Sequence, residues 1–187
     1  MNLTRLLLAP TVLAVALHWA RAEETDSSLV KVGDPVPEFS VTTTDGARFS
    51  PQEQKGKVVL ITFFATWCVP CMQEMPHLES DIWKKFKDRG LVLVAIGREH
   101  QVAELRKFKA DRLFTMPIAA DPDRAAFGKF AKDFIPRAFL IGADGKIAFE
   151  SQGYDFEEFP ALVRAVQAEL DKGSSANPPK AATDSPH

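Results

Sequence analysis

The sequence predicts an α/β domain built on a mixed sheet, and three observations predict it. Two apolar runs of strand length, Lys57 to Phe64 and Leu91 to Ile96, have the β-branched and aromatic make-up of strands buried on both faces. Between and after them the apolar positions recur at three and four, the period of an amphipathic helix. Asp45-Gly46 and Ala143-Asp144-Gly145 are hairpin turn signals near the two ends. The order is β-hairpin, β, α, β, α, a short β and α, β-hairpin, α. Parallel strands come first and an antiparallel hairpin last, which makes a central mixed sheet with helices on both faces and an N-terminal hairpin extension.

Taken in order, Val32-Gly33-Asp34-Pro35-Val36-Pro37 enters the domain with two prolines that favour extended backbone. Phe39 to Thr42 and Ala47-Arg48-Phe49 flank the first turn, and Ser50 to Gly56 closes this unit. After the first buried strand, Met75, Leu78, Ile82, Trp83 and Phe86 mark one face of a helix that ends near Arg89-Gly90, where glycine can cap it. Pro76 lies inside this helix and should bend it. Gln101 to Arg112 reads as a helix with Val102, Leu105 and Phe108 inward, and Met116 to Ala119 as a short strand. Asp121-Pro122-Asp123 opens a small helix carrying Phe127 and Phe130. Ala138 to Ile141 and Lys146 to Glu150 form the last hairpin. Phe156, Phe159, Leu162, Val163, Val166 and Leu170 mark the closing helix, whose start Pro160 pushes to Glu157 or later.

Length and composition fit one domain. The 187 residues are 45% hydrophobic and 26% charged with a formal charge of −2, which gives no basic excess for nucleic acid. The N-terminus has the form of a secretory signal peptide: Arg5, an apolar run from Leu6 to Leu17, then Ala20-Arg21-Ala22. The run is short for a span of roughly 20 residues, with an uncleaved anchor as the alternative. Removing residues 1–22 takes Arg5 and Arg21 and no acidic residue, moving the charge from −2 to −4. The expected organisation is a signal peptide over 1–22, a tether over 23–31, one domain over 32–171 and a disordered, proline-containing tail over 172–187.

Cys68 and Cys71 are the only cysteines. A structural staple across a two-residue gap constrains almost no chain, because the stabilisation grows with the logarithm of loop length. A closed zinc site needs four ligands, and His77, His100 and His187 show no ligand spacing. Redox chemistry is therefore favoured over metal ligation. The first helical turn can bring the two thiols together, and a thiol at a helix N-terminus meets unpaired N–H groups that favour its thiolate. The thiolate attacks a disulfide, and the second thiol resolves the mixed disulfide. Glu74, three residues beyond Cys71, shares its helix face and can exchange that proton, or can simply sit solvated in the first turn. Trp67 reads as a partly exposed lid on the thiol or as a core aromatic, and Arg98, Glu99 and His100 as polar loop residues.

The stretch Phe63-Phe64-Ala65-Thr66-Trp67-Cys68-Val69-Pro70-Cys71 resembles the active-site turn of the thioredoxin superfamily. With Glu74-Met75-Pro76, the entry segment Gly33 to Phe39 and the stretch Ile135 to Ile147, the chain resembles the secreted thiol–disulfide oxidoreductases of the TlpA/ResA type, in the peroxiredoxin-like branch. The resemblance spans about Val32 to Leu170 and implies a thioredoxin-like fold. It implies Cys68 as the exposed attacking thiol, Cys71 as the buried resolving thiol, Glu74 as the carboxylate beside them, and Pro136 in the cis form facing the cysteines. Such a bend leaves the Ile135 backbone to pair with an extended substrate. Thioredoxin proper has a buried Asp where this chain has Thr62, which raises the interest of Glu74.

The resulting expectation is a periplasmic or otherwise extracytoplasmic protein-disulfide reductase acting on protein disulfides. It would be recharged by a membrane thiol donor, and would be monomeric, with no cofactor or metal beyond the Cys68–Cys71 couple. Val69-Pro70 adds no charge or imidazole beside Cys68, and a strongly oxidising site needs a heavily stabilised thiolate, so the reducing direction is favoured. Family members serve cytochrome c maturation, spore formation and metal-site assembly, and no residue here selects among them. Two alternatives stand beside this reading. A thiol peroxidase needs a Pro-x-x-x-Thr-x-x-Cys pattern that Thr66, two before Cys68, does not meet. A copper carrier would use the cysteines with Met72, Met75 and His77.

Overall fold

The computed structural model describes residues 27–176. Seven strands form one sheet in the order β2-β1-β5-β4-β3-β6-β7, with β1 at Val41–Thr43, β2 at Arg48–Phe49, β3 at Val59–Phe64, β4 at Val92–Arg98, β5 at Ile118–Asp121, β6 at Arg137–Ile141 and β7 at Ile147–Gln152. β3, β4 and β5 run parallel, and β6 lies antiparallel to β3 with Phe63 opposite Arg137. The buried runs therefore sit at the centre of the sheet, where both faces are covered.

Alternation along β3 separates two cores. Leu60 and Phe64 join Leu93, Ala95 and Leu140 beneath the helices α1 (Val69–His77), α2 (Lys84–Phe86), α3 (Val102–Asp111) and α4 (Phe159–Ala176). Val59, Ile61 and Phe63 face the other way, toward Val30, Val41, the 3-10 turn at Phe127–Lys129, and Phe130. Helical segments thus cover both faces unequally, with the longer helices together on one. Right-handed crossovers explain this, since β3 to β4 and β4 to β5 step in the same direction across the sheet. Where α3 crosses β4 the approach is close: a Cβ on Gly97 would stand 2.7 Å from a methyl of Leu105.

The helix after β3 is interrupted. Pro76 lacks a backbone N–H, and the six residues Leu78–Trp83 take a wider π register before α2 resumes. A 3-10 turn then runs to Gly90, whose φ of 90° ends the helix in the left-handed region glycine tolerates.

Several boundaries differ from the sequence reading, among them β5, which runs Ile118–Asp121 rather than from Met116, and the small helix expected from Asp121 shrinks to the 3-10 turn Phe127–Lys129. Residues 27–31, expected as tether, are docked: Leu29 N–H donates to the Phe130 carbonyl at 2.8 Å, and Val30 is buried. α4 extends to Ala176, so the first residues of the expected tail are helical; Gly173 does not stop the helix, and the next proline is Pro178. Phe156 lies outside α4 and is 68% exposed. The Asp155 carboxylate accepts the Glu157 N–H at 2.7 Å, forming a turn that holds Phe156 ahead of the helix. The segment 1–22 expected as a signal peptide, residues 23–26 and residues 177–187 lie outside the described residues.

Candidate redox site

Cys68 and Cys71 form a disulfide at the start of α1, with a Cα–Cα distance of 5.2 Å. Cys68 is the N-cap residue: its backbone is extended, and its Sγ accepts the Cys71 N–H at 3.3 Å. A sulfur replaces the usual cap oxygen, at the helix end where unpaired N–H groups and the dipole favour negative charge. Cys71, one turn in, is fully buried, while Cys68 keeps 6% of its surface. This is a smaller opening than expected for an exposed thiol. The cause is the segment before β6, which brings the Ile135 carbonyl to 3.7 Å from Cys68 Sγ.

The Ile135–Pro136 peptide bond is cis, and Ile135 is half-buried against both cores. The apolar rim around the sulfur is left open, with Trp67 60% exposed and Val69 and Phe134 also exposed. Trp67 is therefore on the rim, not in the core. The Arg98 guanidinium lies 5.6 Å from its ring and 5.0 Å from that of Phe127.

Glu74 is 2% exposed. Burial pushes its carboxyl up to about 8, only partly offset by the Thr62 hydroxyl. No well-formed hydrogen bond reaches Oε2 of Glu74 or Oγ1 of Thr62 among the described residues. The solvated first-turn alternative for Glu74 is thereby overturned. It is a buried neutral acid near pH 7, at the edge of a cleft of about 470 Å³ that Phe149, Tyr154, Phe159 and Leu162 also line. The cleft gives its proton a path to solvent.

Sequence reasoning missed His100. Expected as a polar loop residue, it is buried, and its Nε2 stands 3.1 Å from the Thr66 backbone nitrogen and 3.3 Å from Thr66 Oγ1. No short motif carries this pairing. It follows from the parallel neighbours β3 and β4 ending side by side, with Phe64 opposite Gly97. Thr66 thus turns its hydroxyl to His100. His77 pairs with Asp81 at 3.0 Å and stacks on Tyr154. Met75 is core, and among the described residues no group of three or more His, Cys, Asp or Glu is placed to hold a metal.

The AhpC/TSA family profile matches residues 32–150. Thiol-disulfide oxidoreductase ResA of Bacillus thuringiensis (strain Al Hakam) is 29% identical over 133 residues, which are 71% of this chain and 76% of that protein. The solution structure of a candidate protein disulfide isomerase from Bacteroides thetaiotaomicron matches with a TM-score of 0.75 and 35% identity, covering 80% of this chain and 96% of that one. The crystal structure of a candidate thiol:disulfide interchange protein DsbE from Chlorobium tepidum matches at 0.66 and 27%, over 75% and 99%.

Proposed function

Since this chain belongs to the AhpC/TSA family and is a thiol–disulfide oxidoreductase with a thioredoxin-like fold, we propose that it works outside the cytoplasm as a protein-disulfide reductase. The observation that carries the proposal is a cysteine pair at a helix N-cap, faced by the Ile135 carbonyl and rimmed by exposed Trp67, Val69 and Phe134. The apolar rim suits an unfolded or extended client segment, and a backbone beside Ile135 and Pro136 can be paired by such a segment.

In the reduced protein, Cys68 thiolate attacks one sulfur of a client disulfide. The Cys68–client bond forms, and the other client sulfur leaves as a thiolate that takes up a proton. Cys71 then loses its proton to Glu74 in the minority of molecules where that carboxyl is ionised at neutral pH, and attacks Cys68 Sγ. The Cys68–Cys71 bond closes and the second client thiol is released after protonation. Two electrons pass to the client together with two protons, one released by Cys71 through Glu74 and one taken from solvent. No cofactor beyond the disulfide enters this balance.

Export is supported by the basic start, the apolar run and Ala20-Arg21-Ala22. Among the described residues no helix is long and apolar enough to cross a membrane. Re-reduction by a membrane thiol donor and a monomeric state complete the proposal. The Cys71→Ser variant should accumulate a mixed disulfide through Cys68, and the wild-type dithiol should reduce insulin. A variant that traps no client, together with a wild type that reduces no protein disulfide, sinks the reading.

A further inference from the structure

β3 and β4 stop pairing at Phe64 and Gly97, and the chain then crosses from β3 to α1 through Ala65-Thr66-Trp67. Past the end of the ladder, the Thr66 N–H meets no strand carbonyl. It meets the ring of His100, with Nε2 at 3.1 Å. An amide N–H can only donate, so the ring nitrogen that faces it must carry a lone pair. The ring proton is then on Nδ1, which points to the Glu104 carboxylate at 3.4 Å. Glu104 is itself fixed, because Oε2 also accepts the Gln101 N–H at 2.8 Å at the start of α3.

We propose that His100 is a positioning residue for the reacting loop: held as the neutral Nδ1–H tautomer, it accepts the Thr66 amide and so fixes the turn that delivers Cys68. Thr66 lies two residues before the N-cap. The Cys68 thiolate depends on its placement there, where Sγ meets the Cys71 N–H at 3.3 Å. Loosening Thr66 displaces the cap and weakens the thiolate that attacks.

At the same ring nitrogen of His100, Thr66 Oγ1 stands at 3.3 Å. The charged group facing the ring is Glu104 from α3, while the chain neighbours Arg98 and Glu99 engage each other at 3.5 Å. This inference rests on the disulfide-exchange reading for its rate measurement, not for the tautomer.

The test compares reduced wild type with His100→Gln, which keeps an acceptor near the Nε2 position that cannot be protonated, and with His100→Leu, which keeps volume without an acceptor. Imidazole 15N shifts in the wild type should show hydrogen on Nδ1 and none on Nε2. In attack on a small aromatic disulfide, His100→Leu should be slower by about fivefold, the rate equivalent of one net hydrogen bond of about 1 kcal/mol. His100→Gln should stay within about twofold of wild type. An Nε2–H tautomer, a leucine variant equal to wild type at every pH, or a glutamine variant as slow as leucine would overturn the proposal. If wild type attacks no disulfide, the proposed function fails while the tautomer still decides on His100.

Discussion

Glu74 and Glu79 show how two buried carboxyls five residues apart take opposite states. Glu79 would also be raised by burial, but hydrogen bonds from the Thr115 hydroxyl and the Met116 and Thr115 N–H groups, with Lys84 at 3.5 Å, outweigh that and lower it. Glu74 has no such set and stays protonated up to about 8. The folded value lies above the ordinary 4.5, so folding binds an extra proton between the two and stability falls as pH rises through that window. Glu74→Gln removes the loss. In urea denaturation of the oxidised protein, the variant should gain on wild type from about pH 5 upward, by an order of a few kcal/mol near pH 9. Parallel stability curves for the two proteins would defeat this account. The same variant, unable to take the Cys71 proton, should slow closure of the disulfide about tenfold to a hundredfold. The Cys68–Cys71 pair was legible because its spacing is a local property, whereas the burial of Glu74 was not, since a first-turn carboxylate reads equally well as solvated. His100 was not, because its partner is 34 residues away and only the sheet order brings them together.

At the scale of elements, strand composition located β3, β4 and β6 to within a residue or two, since burial on both faces leaves a continuous apolar run. The helix after β3 was legible as one apolar stripe, but not its register. The stripe continues through Leu78, Ile82 and Phe86, yet Pro76 is followed by a π segment that no periodicity announces. That segment carries Glu79, whose carboxylate accepts Thr115 N–H and Met116 N–H, each at 3.0 Å, and so ties the helix to the approach to β5. Its sign is opposite to that of Glu74: the stabilisation is present above the ordinary 4.5 and is lost as pH falls through the lowered folded value. Glu79→Ala leaves Met116 N–H buried and unpaired, and should cost about 2–4 kcal/mol at neutral pH. Amide exchange at Thr115 and Met116 should quicken in step. Unchanged protection at those amides would show that the carboxylate does not hold the segment.

For the molecule as a whole, the edge of the domain is set by a contact that composition conceals. Ser27 and Ser28 fall in a polar stretch that reads as tether, because hydroxyls carry no apolar period. Both accept from the guanidinium of Arg137, which also donates to Gln152 and to the Asp133 carbonyl. Arg137 is fully buried and directly follows Pro136 at the start of β6. The N-terminal segment therefore helps solvate a buried charge beside the same turn that faces Cys68. A buried cation is tolerated only while enough acceptors surround it, so removing acceptors costs more than the bonds themselves. Ser27→Ala with Ser28→Ala should lower unfolding stability by about 2–3 kcal/mol. Because the clamp lies on the sheet face away from α1, the loss should be equal in the oxidised and reduced proteins. Chemical denaturation in both redox states measures it. A double variant as stable as wild type would mean that the segment only rests on the domain, and a loss confined to one state would mean that the clamp is coupled to the cysteines.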